Sequence, residues 1–231
     1  MLVAIEGIDG AGKRTQAALL ADRMRQNGLT SAILSFPRYG ETVFARAVAD
    51  YLNGKFGPLH AVDPHLAALL FAGDRFESKA HLLALAAAHD VLILDRYVAS
   101  NLAHQAARLP PDARPAFIDW LAAIEYGVYG LPRADVTLLL DLAVETAAAL
   151  VRGKGPRGYT TRPADLHEQD LAYLAETRRV YQALAETGRF GAWHVVPCTA
   201  TGGGVRAAAA IHADIWHALG ALLPQTGSAR R

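Results

Sequence analysis

The chain has 231 residues, 52% of them hydrophobic and 19% charged, a composition that excludes intrinsic disorder and fits one large α/β domain. Twenty-three basic against 22 acidic residues give a formal net charge of +1, so no overall field draws the chain toward nucleic acid or an anionic membrane. Cys198, the single cysteine, allows no intramolecular disulfide and has no activating pattern around it, so it reads as a small buried hydrophobe. The sequence enters a strand pattern at once, and its apolar stretches fall short of the roughly 20 residues that cross a bilayer, so a cytoplasmic protein is expected.

In chain order, the first apolar run is LVAIE (Leu2–Glu6), followed by GIDGAGKRT (residues 7–15) and a helical stretch over residues 16–26. A second run, SAILS (Ser31–Ser35), leads into FPRYG (residues 36–40), and a long Ala- and Leu-rich helix is predicted over residues 65–89. The third run, DVLILD (residues 90–95), ends in DRYVASN (residues 95–101), and a helix is expected over residues 116–126. DVTLLLD (residues 135–141) and WHVVP (residues 193–197) complete five candidate strands, with further helices over residues 165–186 and 205–219. The runs are nearly continuously apolar, as strands buried on both faces are, and helical stretches separate them, so a parallel sheet wrapped by helices follows. VRGKGPRGYTTRPA, residues 151–164, reads as a mobile basic loop, and residues 224–231 as a frayed tail beyond a single domain over residues 1–223.

Ligands of parallel sheets bind beyond the carboxyl ends of the strands, so the residues just after each run carry the chemistry. Gly7, Gly10, Ala11, Gly12 and Lys13 keep the Gly-x-x-x-x-Gly-Lys spacing of a phosphate-binding loop between a strand and a helix. Backbone N–H groups there cradle phosphates, with Lys13 as a point charge. The position that should offer magnesium a hydroxyl is Arg14, followed by Thr15. Asp95 at the end of the third run suits magnesium or its water shell, and Arg96 beside it can bridge two phosphates. Phe71 and Arg75 are four residues apart, hence on one helix face: a ring to stack on and a fork for a base edge.

IEGIDGAGK, FPRYG, FAGDR, DRYVASN and the acidic DLHEQD (residues 165–170) together resemble the thymidylate kinases over essentially the whole chain. The resemblance implies a five-stranded P-loop NTPase fold, usually a homodimer, and transfer of the γ-phosphoryl group of ATP to thymidine monophosphate with Mg2+. It assigns Phe71 to stacking on thymine, Arg75 and Asn101 to its edge, and Phe36 and Pro37 to the acceptor pocket with Ser100. Tyr39 would lie near the sugar and phosphate, Arg96 between the phosphates, and Asp9 near the 3′-hydroxyl and, through water, the metal. Gly10 stands where some members carry an arginine, which places the catalytic arginines in the basic loop: Arg152, Arg157 and Arg162 are candidates, followed by Asp165 and Glu168.

Two departures from the family pattern carry expectations. Arginine has no lone pair for a metal, so Mg2+ is expected among the phosphates and Asp9, Asp95 or Glu168, with Arg14 pairing with an acid or a phosphate and Thr15 reaching the α-phosphate. His104 replaces the family's usual aromatic ring near the sugar's 2′ carbon, so weaker rejection of ribonucleotides is expected. A kinase for another nucleoside monophosphate on the same fold, and a nucleotide-binding regulator silenced by Arg14, are the competing readings. A nucleic-acid protein is disfavoured because no basic stripe with interleaved aromatics lies outside the basic loop.

Overall fold

The computed structural model describes residues 1–152 and 170–223. Five strands, β1 (Leu2–Glu6), β2 (Ser31–Ser35), β3 (Val91–Asp95), β4 (Val136–Asp141) and β5 (Ala192–Pro197), form one sheet in the order β2-β3-β1-β4-β5. Every pairing is parallel. The five expected runs are therefore the five strands, to within a residue at their starts. Continuous apolarity translates into burial only at the centre: β1, β3 and β4 are buried almost throughout, whereas the edge strands β2 and β5 leave most of their residues partly or fully exposed.

The helices are α1 (Lys13–Gln26), α2 (Val43–Leu52), α3 (Pro64–Glu77), α4 (Lys79–Ala88), α5 (Val98–Ala106), α6 (Arg114–Ala122), α7 (Val144–Arg152), α8 (Leu171–Glu186) and α9 (Ala208–Leu219). The single helix expected over residues 65–89 is two, divided at Ser78, which ends α3 and begins α4. The helix expected over residues 116–126 starts at Arg114 and widens after Ala122 into a π-helical turn, Ala123–Val128. Three helices were not anticipated: α2, α5 and α7. Each is short, and α5 carries Ser100, Asn101 and His104 on a sequence that reads as a site motif before it reads as a helix. Val151 and Arg152, assigned to the basic loop, belong to the last turn of α7.

Local chemistry sets several helix starts. Thr42 accepts from Ala45 N at 2.9 Å, Asp63 from His65 N at 2.7 Å and Asp170 from Tyr173 N at 3.0 Å, satisfying N–H groups that the helix itself leaves open. α5 has no such cap of its own, and its N-terminus is satisfied from β1, as described below. The core is one cluster of Val, Ile and Leu from the central strands with Leu20 and Met24 of α1, Leu102 of α5 and Ile215 and Leu219 of α9. Each such side chain contributes about 1.5–3 kcal/mol on burial. Cys198 lies in this core, where burial pushes its thiol up to about 12, so it packs as expected and is not a nucleophile at neutral pH.

Because β2, β3 and β1 are neighbours, three connections leave the sheet side by side. Ser35 and Ile5 both lie opposite Asp95, so these strands end nearly level. Phe36 N donates to Asp95 O at 3.0 Å and Arg96 N to Ile5 O at 3.1 Å, extending the ladder into the segments that carry the site.

Candidate active site

The glycine loop turns tightly between β1 and α1, and α1 begins at Lys13, three residues earlier than the sequence pattern indicates. Gly10 has φ +91, and a Cβ there would stand 2.4 Å from the carbonyl oxygen of Ala147. No side chain fits at that contact, so the loop rests directly on the backbone of α7, the helix that leads into the basic segment. Lys13 is almost fully buried and donates to the carbonyls of Gly7 and Ile8, both at 2.9 Å. Burial first, then the Arg96 charge, lowers its pKa to about 8, against the opposing pull of Asp9, Asp95 and Glu6. Arg14 and Thr15 are exposed at the start of α1, and no described acid pairs with Arg14, while Asp165 and Glu168 lie outside the described residues.

Arg96 sits between β3 and α5 in the left-handed region, φ 68, a conformation that costs a non-glycine residue free energy and is held only where surroundings enforce it. Its guanidinium donates to Asp9 Oδ1 in an ion pair, to Ser100 Oγ at 3.2 Å, and lies 3.3 Å from His104 Nε2. Burial works against the charge, yet Asp9, then Tyr181, Glu6 and Asp95 outweigh it and raise the pKa. Four of the expected site residues, Asp9, Arg96, Ser100 and His104, therefore form one hydrogen-bonded cluster beside Lys13. Ser100 donates its single proton to Glu6 Oε2 at 2.5 Å, which leaves its oxygen to accept from Arg96.

Glu6 was read only as the end of a strand. It is fully buried and accepts from Tyr97 N at 2.7 Å, Ser100 N at 3.1 Å and the hydroxyls of Ser100 and Tyr181 at 2.5 and 2.9 Å. It thus caps α5 from the neighbouring strand and fixes the turn that aims Arg96. Burial raises its pKa, and hydrogen bonds from Ser100, Tyr181 and Tyr97 with the Arg96 charge oppose that rise. The signal in the sequence was a lone acid ending an otherwise apolar run.

Arg96, always a donor, faces Nε2 of His104, so the ring accepts there and carries its proton on Nδ1, directed at Tyr173 Oη 3.0 Å away. Tyr173 Oη in turn donates to the His104 carbonyl at 3.1 Å. His104 is buried and bound into the Arg96 cluster, and α8 supplies both tyrosines, Tyr173 and Tyr181, that complete it.

At the other end, Arg75 of α3 is buried against Glu125 of the π-helical turn, with Nε and Nη2 each 2.5 Å from one carboxylate oxygen. Burial disfavours the Arg75 charge, but Glu125 outweighs it and the pKa is raised. Asn101 Nδ2 donates to Glu125 Oε1 at 2.8 Å and to Ala68 O at 3.0 Å, and its Oδ1 is buried without a partner. Phe71 lies in a smaller apolar cluster with Tyr39, edge-on to Tyr51 at 6.2 Å. Phe36 is buried, 6.1 Å from the Tyr97 ring, and its peptide bond to Pro37 is cis.

Asp74, inside FAGDR but not singled out, ties these parts together. It accepts from Arg38 N at 3.0 Å and from the Thr42 hydroxyl at 2.6 Å, fastening FPRYG to α3. Gly73 beside it lets the Phe44 ring lie on the helix, where a Cβ would stand 2.4 Å from that ring.

Asp95 adds negative charge near Lys13. Among the described residues no three His, Cys, Asp or Glu side chains form a metal-binding group. Arg152 is exposed at the end of α7, while Arg157, Arg162, Asp165 and Glu168 lie outside the described residues.

A family model described as thymidylate kinase matches residues 5–199. The thymidylate kinase of Mycobacterium tuberculosis is 42% identical over 196 residues, 85% of this chain and 91% of that protein. That of Xanthomonas campestris is 35% identical over 204 residues, 87% and 77% of the two chains. A solved thymidylate kinase from Candida albicans superposes with a TM-score of 0.73 at 23% identity, covering 96% of this chain and 91% of that one, and matches it in fold. With the model matching residues 5–199 and a relative 42% identical over 85% of this chain, the chain belongs to the thymidylate kinase family.

Proposed function

We propose that the protein transfers the γ-phosphoryl group of ATP to thymidine monophosphate, giving the diphosphate for dTTP synthesis. The observation that carries this reading is that α5 joins two ends: a phosphate end of Lys13, Asp9 and Arg96, held through Ser100 and His104, and a base end of Arg75 and Asn101, both buried, with Phe71. An oxygen of the acceptor phosphate attacks the γ-phosphorus while ADP leaves. Catalysis of such a step is mainly positioning and charge neutralisation, which a fixed guanidinium at Arg96 and the loop amides supply. Lys13, now on its own loop's carbonyls, would turn to the outer phosphates. Phe71 would stack on the base, with Pro37, Phe36, Tyr39 and Asp9 around the sugar and acceptor phosphate.

Mg2+ suits the donor set, since Asp9 and Asp95 offer carboxylate oxygens and magnesium needs only one or two such ligands beside phosphates and water. When bound, the ion neutralises charge on the transferring phosphates. Arg152, Arg157 and Arg162 would form a lid rooted on α7, whose backbone already touches the loop at Gly10. The protein would act in the cytoplasm, as a homodimer. Val43 and Phe44 on α2 and Leu66 and Phe76 on α3 are exposed apolar side chains that a second copy would cover.

A coupled ADP-release assay with ATP and Mg2+ tests the reading across thymidine, uridine, cytidine, adenosine and guanosine monophosphates and their deoxy forms. Preference for the thymidine acceptor supports it. Preference for another acceptor, or ATP binding without turnover, replaces it with one of the two competing readings.

A further inference from the structure

The base end contains a polar arrangement that the family resemblance did not assign. Asn101 presents its amide nitrogen to two oxygens, Ala68 O and Glu125 Oε1, which identifies that atom as nitrogen and leaves Oδ1 as a buried acceptor with no partner. Glu125 is fully buried, and both its oxygens are engaged by Arg75, so toward Asn101 it can only accept. A π-helical turn carries this carboxylate, closed by Tyr129 N on Ile124 O at 2.8 Å; such wide turns concentrate at functional sites. An orphaned buried carbonyl loses its hydration without replacement unless a ligand N–H meets it.

We infer that Glu125 determines which pyrimidine the protein accepts, by locking the Asn101 amide with its oxygen toward the substrate. The inference rests on the thymidine monophosphate reading above. Arg75, held on the same carboxylate as Asn101, keeps Nη1 as a donor not used on Glu125. A donor next to an acceptor matches thymine and uracil, whose O4 accepts and whose N3–H donates. Cytosine reverses both: its N4 amino group meets the guanidinium, and its unprotonated N3 meets Oδ1. Rejection by unmatched buried polar groups is far stronger than rejection by shape alone. Without the lock, the amide could turn over, exchanging its bond to Ala68 O for an oxygen–oxygen contact there that a small shift relieves, and offer its NH2 to cytosine N3. Glu125 acts through Asn101 and Arg75 and is a positioning residue.

The test is kcat/KM for dTMP and dCMP in the native protein and in Glu125→Gln. Glutamine sets one donor and one acceptor where three donors converge, so Asn101 gains a second orientation. The ratio of dTMP to dCMP efficiency should fall by about tenfold or more. A purely structural role would lower both efficiencies together, and an unchanged ratio in a folded variant overturns the inference. If the native protein itself does not favour dTMP over dCMP, it is the reading of the substrate that fails. Should the variant not fold, 15N-labelled asparagine in the native protein reads the same point, with the Asn101 resonance identified by its loss in Asn101→Ser. Its NH2 protons should resist exchange before any nucleotide is added. Exchange at the rate of an exposed amide overturns the lock.

Discussion

The two ends of the site are built differently. The phosphate end comes from segments that directly follow β1 and β3, and its Asp9–Arg96 ion pair is only partly withdrawn from water, the two side chains keeping 16% and 17% of their surface, while Lys13 beside it is buried. The base end is gathered from α3, α5 and the turn after α6, and its ion pair is almost dry, with Arg75 and Glu125 at 3% and 0%. A charge that must engage successive phosphates is useful when its present partners can be exchanged, as Lys13 would exchange its loop carbonyls for phosphate in the proposed reading. A group that reads a base is useful when it cannot move. The difference predicts that removing a side chain at the phosphate end costs rate, and at the base end costs stability as well.

The largest effect is expected at Arg96. Arg96→Ala should lower kcat about a thousand-fold in single-turnover assays, with denaturant stability changed far less, because neutralisation of the transferring group depends on that fork. Arg75→Ala strands Glu125 as an uncompensated buried charge and should destabilise the fold by about 3–5 kcal/mol in urea titrations. Equal stability losses in the two variants would erase the contrast between the ends.

The pH dependence belongs to the phosphate end. Lys13 in the free protein titrates near 8, and a bound polyphosphate raises that value, so binding favours the protonated form. ATP affinity should fall as pH rises above about 8, and calorimetry at pH 8.5 in buffers of different ionisation enthalpy should show net proton uptake. Lys13→Met should show none.

His104 sharpens the comparison because it touches Arg96 and would lie beside the sugar in the proposed reading. His104→Tyr should raise the preference for deoxyribose over ribose acceptors several-fold, and it also removes the Nε2 contact to Arg96, so kcat should drop with it. A changed sugar preference with kcat intact would separate His104 from the Arg96 cluster. Arg14→Ser is expected to have the smallest effect, less than tenfold in kcat/KM, because Arg14 is exposed and pairs with no described acid. A loss beyond about a hundred-fold would show that Arg14 handles phosphate directly.

Much of the phosphate end was legible in the sequence because its residues are contiguous and follow apolar runs: Gly7 to Thr15 after β1, and Asp95 and Arg96 after β3. Glu6 was visible as a residue but not as a role, since nothing local says that a strand-end acid will cap a helix start 91 to 94 positions later. Glu125 gave no signal at all. It sits in what reads as an amphipathic helix, and only the π-helical turn and the approach of α3 and α5 make it the hub of the base end. The division of residues 65–89 at Ser78 and the missed helix α5 share a cause, because hydrophobic periodicity gives an element's existence more readily than its ends.

The sequence by itself determined the five parallel strands, the phosphate loop between β1 and α1 and the resemblance to one kinase family, because these depend on periodicity and short spacings that each segment carries alone. The tertiary structure decided the strand order that sets three connections side by side, the left-handed turn that aims Arg96, and the carboxylates that orient Arg75, Asn101 and Ser100. Those depend on burial. A carboxylate far along the chain becomes the necessary partner of a guanidinium or an amide only once both have been taken out of water together.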